Sequence, residues 1–149
     1  MGLLDLFKPA WQSGNQKKAL KAVKKLTDQV VLTRVAKEAE NYYVRLLAIE
    51  KLSDQVVLAD IARNKAENEN IRFEAAKKLT NQTLALEIFI TIAKSGKILF
   101  CTNKAANIVL EKTTDPEICA EMEAILRKIE ENERMERKRT MDLFIPGCL

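Results

Sequence analysis

One twelve-residue phrase occurs three times in this chain, and it constrains the fold more than any other feature. Its copies read KAVKKLTDQVVL at 21–32, LAIEKLSDQVVL at 47–58 and EAAKKLTNQTLA at 74–85, and a weaker fourth copy, VLEKTTDPEICA, stands at 109–120. The central positions of successive copies lie 26, 27 and 34 residues apart. Self-similarity at such a period is typical of a chain built from stacked supersecondary units.

Each copy predicts the end of one helix, a tight turn and the start of the next helix. Apolar residues precede the turn at i, i+1 and i+4, as in Ala22, Val23 and Leu26, which makes one stripe on a helix. An Asp or Asn follows at the positions that N-caps prefer: Asp28, Asp54, Asn81 and Asp115. Asn15 and Asn41 are further predicted N-caps. The pattern predicts helices at 16–26, 29–39, 42–52, 55–65, 71–79, 82–94, 97–112 and 116–138.

Three sets of residues carry a resemblance to a known family. They are the L-[TS]-[DN]-Q turns, the Val44-Arg45 and Ile71-Arg72 pairs that open helices, and the opening MGLLDLFKPAW. With these features, about residues 1–125 resemble the short bacterial and archaeal HEAT-like repeat proteins. The resemblance implies an all-α, right-handed α-solenoid of about four helical hairpins. It also implies that Arg45 and Arg72 tie adjacent repeats together through acidic or amide side chains, and it carries over no reaction.

The expected organisation is a single HEAT-like repeat domain over 1–149. The apolar stretches at both ends, LLDLFKPA and MDLFIPGCL, are predicted to cap the terminal repeats. The alternatives are self-association, docking to a partner and, for the N-terminal stretch, an interfacial membrane anchor that uses Leu4, Phe7 and Trp11. The predicted divisions are an N-terminal cap at 1–14, repeats at 15–41, 42–68, 69–95 and 96–126, and a charged helix extension with an apolar tail at 127–149.

The sequence offers little of what catalysis or metal binding requires. It contains no His, its four Gly are far apart, and Cys101, Cys119 and Cys148 lack the close spacing of a zinc site. We therefore expect a protein that is not an enzyme and that uses no cofactor or metal. We interpret the cysteines as reduced, and the sequence shows no secretory or membrane-spanning pattern. These features predict a cytoplasmic location without a membrane span.

The positive charge is concentrated at the N-terminal end. The net charge is +4, yet residues 1–27 alone contain six Lys and one Asp. Lysines recur at equivalent repeat positions and could form a column that attracts polyanions, although each also suits the last turn of its helix through the helix dipole. The members of this column are Lys25, Lys51, Lys78 and Lys112.

These observations predict a non-catalytic scaffold that binds a protein or peptide along the face made by the second helix of each pair. Residues expected to define this face are Lys21, Lys25, Leu47, Lys51, Glu74 and Lys78, with Leu47 exposed. The alternative is non-specific nucleic-acid binding through the N-terminal lysines, including Lys17, with Trp11 stacking on a base. Trp11 could instead pack a cap against the first repeat.

Overall fold

The computed structural model describes the backbone of residues 9–144 and the side chains of residues 9–141. Over this range the chain forms one short 3-10 helix and eight α-helices, without a β-strand. The fold is therefore all-helical, as predicted. Its contacts divide it into two compact units, Met1–Ile88 and Phe89–Leu149, with the sixth helix passing from one to the other.

Most helices of the first unit begin where the Asp and Asn residues were predicted to cap them. The fifth α-helix, predicted to begin at residue 71, instead begins at Glu69 after the N-cap Asn68. Asp28 Oδ1 accepts from the backbone N–H groups of Val30 and Val31 at 2.8 and 3.1 Å, and Asp54 and Asn41 act in the same way. The elements are the 3-10 helix Ala10–Gln12, α1 (Gln16–Lys25), α2 (Gln29–Glu38), α3 (Tyr42–Lys51), α4 (Gln55–Arg63), α5 (Glu69–Lys77) and the start of α6 (Gln82–Ser95).

Two kinds of contact organise the first unit. Helix α2 packs against α3 and α4 packs against α5, while α1 packs against α3 and α3 against α5. Helices α1, α3 and α5 thus form one layer, in which α3 and α5 are the second members of packed pairs. The predicted repeat boundaries at 41/42 and 68/69 fall between the members of those pairs. Fully buried aliphatic side chains fill the unit, among them Val23, Leu32, Ile49, Leu52, Leu58 and Ile71.

The second unit contains the end of α6, α7 (Leu99–Lys112) and α8 (Pro116–Phe144), and α7 packs against α8. Cys101, Ala105 and Val109 occupy one buried stripe of α7, and Met122 and Ile129 are buried on α8. Gly96, with φ 62°, follows the end of α6 and adopts the left-handed conformation predicted for it.

The first turn of α7 is apolar in sequence, but two of its large side chains do not belong to the core. Leu99 and Phe100 are 51% and 60% exposed. The buried stripe of α7 begins at Cys101. Leu99 and Phe100 point away from that stripe, because successive residues of a helix face different directions. Phe100 is instead covered in part by the ammonium group of Lys104, which lies 4.3 Å from the ring centroid. Apolar content alone could not assign the buried face.

Helix α8 also extends beyond its predicted end at residue 138. It continues through Phe144, so residues 141–144 belong to the helix and not to a folded-back tail. Every side chain from residue 130 to residue 141 is exposed. The predicted capping segments at 1–8 and 145–149 lie outside the described residues.

Candidate interaction surface

The Gln of the repeated phrase links one turn to the next along the first unit. Gln29 Oε1 accepts from the backbone N–H of Ser53 at 2.9 Å and from its hydroxyl at 3.2 Å, and Gln29 Nε2 donates to Lys51 O. Gln55 repeats the arrangement with Thr80, at 2.8 and 3.2 Å, and donates to Lys78 O. Each Gln therefore satisfies main-chain groups that the next interhelical turn leaves unpaired.

The Lys of the phrase makes a second link, in the opposite direction along the chain. Lys51 Nζ donates to the carbonyls of Val23 and Lys24 at the C-terminal end of α1. Lys78 Nζ donates to three carbonyls at the end of α3, of which Leu52 O lies at 2.6 Å. A cation is favoured there because the final carbonyls of a helix are unpaired and carry its negative dipole end.

Lys78 is withdrawn from water by this contact. Burial lowers the pKa of its ammonium group below the ordinary lysine value of 10.5, and the neighbouring carboxylate of Glu50 partly opposes that shift. The position of Lys78 agrees with the helix-dipole interpretation of the lysine column. Here, however, the cation neutralises the end of the neighbouring helix in the layer, at α3, rather than only the end of its own helix.

Arginines close the opposite ends of the helix pairs. Arg45 Nη1 donates to the carbonyls of Ala39 and Glu40 after α2, at 2.7 and 3.0 Å, and Arg45 Nη2 lies 3.4 Å from Glu67 Oε1. Buried Arg72 donates through Nε to Ala62 O at 3.0 Å. Arg45 thus has an acidic partner, but Glu67 belongs to the same predicted repeat, so this ion pair does not link adjacent repeats. Arg72 contacts a main-chain carbonyl of α4.

A further stripe of exposed and half-buried side chains lies on each of α1, α3 and α5. By the repeat spacing, Lys17, Tyr43 and Asn70 occupy equivalent positions of the three stripes. The nine residues of this surface, called the odd-helix face below, are Lys17, Lys21 and Lys24 of α1, Tyr43, Leu47 and Glu50 of α3, and Asn70, Glu74 and Lys77 of α5. On each helix they occupy one stripe at i, i+4 and i+7.

Helix α1 is the strongly basic part of this face. Its sequence, QKKALKAVKK, contains five exposed lysines and no acidic residue. Within the part of the chain that the structure describes, none of these lysines forms an ion pair. By contrast, Glu74 on α5 is paired with Lys77 at 2.9 Å. Net positive charge is therefore concentrated at the α1 edge of the odd-helix face.

Helix α3 provides the apolar part. The Tyr43 side chain is 57% exposed, and its ring packs edge-on against Tyr42 with 5.2 Å between the centroids. Leu46 and Leu47 continue the stripe as half-buried side chains. A partly exposed tyrosine beside two leucines offers both apolar area and a hydroxyl group to a partner.

The structure separates the residues that the sequence grouped into one binding face. Lys17, Lys21 and Lys25 are exposed on α1, and Glu74 is half-buried on α5. Lys51 and Lys78 hold carbonyls in the contacts described above. Leu47 is half-buried, so its predicted exposure was wrong, because it packs beside the layer contact between α1, α3 and α5.

Trp11 is buried, whereas the five lysine side chains of α1 are exposed. It is only 5% exposed, in the 3-10 helix that packs against α1. Of the two interpretations of this residue, packing against the first helix agrees with its burial. A ring so enclosed presents no open face on which a base could stack.

The sequence suggests Tyr42 and Tyr43 as contact residues, because two aromatics stand together in a repeat turn, but Tyr43 was not included in the predicted face. The Gln residues were not predicted as connectors. A signal for Gln29 and Gln55 was present, because Gln recurs directly after the N-cap in the first three copies of the phrase. The signal for Tyr43 was its i, i+4 spacing to Leu47 and Glu50 at i+7.

Surface cavities among the described residues include one of about 520 Å³, lined by the ends of α2 and α4. Two of its lining carboxylates are paired, as Lys37–Asp60 and Arg45–Glu67. Another, of about 420 Å³, adjoins Trp11. Among the described residues no group of three or more Cys, Asp or Glu is arranged to hold a metal, and no helix could cross a membrane.

Comparison with known proteins adds no relative to this description. No protein-family model matches the chain, and the searches of curated proteins and of solved structures also gave no match. What the observations themselves define is an all-helical protein whose first unit is interlinked by a recurring Lys and Gln and carries an open three-helix face.

Proposed function

We propose that this chain is a non-catalytic interaction module that binds a segment of another protein on the odd-helix face. The observation that carries the proposal is the adjacency of two chemistries in one layer. Basic α1 packs against α3, which carries the exposed tyrosine and the two half-buried leucines. Such a surface suits a segment that places acidic residues over α1 and apolar side chains over Tyr43.

The architecture proposed for the whole chain is a right-handed α-solenoid of HEAT-like helical hairpins. The recurrent Gln29–Ser53 and Gln55–Thr80 contacts support it, because they connect successive units in the same way. In a solenoid each unit contributes a few side chains to one continuous strip, which is how extended partners are bound. The odd-helix face would be that strip.

Charge distribution favours a protein partner over a nucleic acid. Glu50 and Glu74 lie on the same face as the lysines of α1. A phosphate backbone that followed the three helices would meet these carboxylates, whereas a protein segment can vary its charge along its length. Lys51 and Lys78 are also less available to phosphates, since their ammonium groups already bind carbonyls.

Site-specific photo-cross-linking in the native cells tests the location of the partner. A photoreactive phenylalanine analogue replaces Tyr43 in one variant and Val30, which is 75% exposed on α2, in the control. We expect one discrete adduct from position 43 and none from position 30. The triple change Lys17→Glu, Lys21→Glu and Lys24→Glu should remove that adduct. Equal adducts at both positions, or an adduct that survives the triple change, would contradict the proposal.

A second candidate, non-specific nucleic-acid binding, rests on one observation: the five exposed, unpaired lysines of α1. Anisotropy of labelled single- and double-stranded oligonucleotides measures it directly between about 50 and 200 mM salt. Binding that weakens steeply with salt and disappears in the triple lysine variant would replace the protein-binding proposal. No binding at the lower salt concentration would eliminate the nucleic-acid candidate.

A further inference from the structure

The last part of helix α8 carries an exposed, highly charged surface that includes none of the residues of the odd-helix face. From residue 130 to residue 141 every side chain is exposed, and Met135 is 54% exposed in the middle of this stretch. Glu131 precedes Met135 by four residues, and Lys138 and Arg139 follow it by three and four. These four side chains therefore lie on one side of the helix, with Met135 at the centre.

This stretch gains little support from its own chain. An isolated helix of about a dozen residues is marginal in water, and most helix stability in proteins comes from packing. Glu130 with Arg134 and Glu133 with Arg137 have the i, i+4 spacing of helix ion pairs, but neither pair forms among the described residues. A second helix packed on the Met135 side would supply the missing stabilisation.

We propose that the exposed end of α8 pairs antiparallel with the same helix of a second copy of this chain, with Met135 of each copy at the twofold axis. In this register position 131 of one helix comes level with positions 138 and 139 of the other. Glu131 then faces the two cations at Lys138 and Arg139, and the symmetry forms the contact twice. A parallel arrangement would bring Glu131 against Glu131 and gains nothing from these charges.

The charges in question cannot pair within one chain. Positions 131 and 139 are separated by eight residues, or about 12 Å along a helix that rises about 1.5 Å per residue. Glu131 and Arg139 therefore cannot contact each other within one chain. A small apolar centre with flanking ion pairs makes a weak, salt-sensitive association rather than an obligate dimer.

Sedimentation of the full-length chain with charge-swapped variants tests the register. At about 10 µM to about 1 mM protein, the range of weak association, the native chain should show a concentration-dependent dimer. Glu131→Lys alone, and Lys138→Glu with Arg139→Glu, should each raise the dissociation constant at least about tenfold, since like charges then face each other. Combining all three substitutions should restore association to within a few-fold of the native value.

Restored association in the triple variant is the decisive result. It distinguishes pairing of the α8 helices from association through the apolar ends of the chain, which all variants retain. A native chain that stays monomeric over the whole range overturns the proposal. So does a dimer that all the charge variants leave unchanged, which would place self-association elsewhere. Circular dichroism of each variant checks that it remains helical. The outcome leaves the proposed function of the odd-helix face untouched.

Cross-linking at the proposed axis gives an independent readout. In a background with Cys119→Ser and Cys148→Ser, buried Cys101 is kept and Met135→Cys is introduced. Mild oxidation should yield a disulfide-linked dimer, because the twofold axis places this position opposite itself. Glu133→Cys, two residues away and therefore on the other side of the helix, is the control. Equal yields at the two positions would overturn the register.

Discussion

Gln29 Oε1 accepts both the backbone N–H and the hydroxyl hydrogen of Ser53, at 2.9 and 3.2 Å. The two residues belong to successive copies of the repeated phrase and stand at the start of α2 and just before α4. The same arrangement joins Gln55 to Thr80. The polar residues of the phrase therefore act between copies, whereas its Asp or Asn acts within a copy as an N-cap.

Replacing Gln55 with Ala should destabilise the protein. The substitution leaves the N–H of Thr80 and the carbonyl of Lys78 without their side-chain partner. We expect the free energy of unfolding to fall by about 1–2 kcal/mol, which is the usual effect of losing partly buried hydrogen bonds. Urea denaturation measures it. Gln16→Ala, at an exposed first position of α1, is the matched control and should change stability by less than about 0.5 kcal/mol.

Lys78→Met should cost about 1–3 kcal/mol of unfolding free energy, because three helix-terminal carbonyls lose a charged donor while the aliphatic stem is retained. The neighbouring substitution Lys77→Met removes a half-exposed ion pair with Glu74 and a cation–π contact with Phe73 at 5.7 Å, and it should cost about 1 kcal/mol or less. Guanidinium denaturation of both variants compares them. Equal losses of unfolding free energy in the two variants would show that the contact of Lys78 with the end of α3 stabilises the fold no more than the contacts of Lys77 do.

Lys78 also predicts a pH dependence with a defined sign. Burial lowers its pKa in the folded chain, with Glu50 opposing, so the folded chain releases this proton at lower pH than the unfolded chain. Between the folded pKa and the ordinary value of 10.5 the unfolded chain binds more protons, and stability therefore rises with pH in that window. The native chain should thus gain stability relative to Lys78→Met as the pH approaches 10.5. If the difference in unfolding free energy between the native chain and Lys78→Met decreased in that pH window, the lowered pKa of Lys78 would be contradicted.

Trp11 should behave as a buried anchor of the 3-10 helix. Trp11→Ala is expected to lower the free energy of unfolding by about 3 kcal/mol, as for other buried aromatic side chains. Val30→Ala, at an exposed position of α2, should change it by less than about 0.5 kcal/mol. Acrylamide should quench Trp11 fluorescence weakly in the folded chain and strongly in urea. Strong quenching without denaturant would show an exposed ring.

Local chemistry could be predicted from the sequence where one residue and its immediate neighbours determine it. Asn15, Asp28 and Asp115 cap helices as expected, because an N-cap contact needs only the next two or three N–H groups. The helix starts after these caps were accordingly predicted correctly. Gly96 ends α6 for an equally local reason, its positive φ.

What depended on the neighbouring copy could not be predicted in the same way. The partners of Lys51 and Lys78 lie 26 to 29 residues away in sequence, so periodicity showed that the lysines recur but not what they bind. Burial of the side chain of Leu47 depends on how closely α1, α3 and α5 approach one another. Phe100 illustrates the same limit, since an apolar residue in a first helical turn can face either the core or solvent.

The links made by Lys and Gln have a consequence for how a chain of this kind can change its length. Among the first three copies, Gln29 and Gln55 connect to the copy that follows, and Lys51 and Lys78 connect to the copy that precedes. Insertion of a whole copy would renew both connections. Insertion of part of one would break the Gln and Lys connections that cross the insertion point. Gene duplication in whole units is therefore the route by which such a layer can grow while keeping its joints intact.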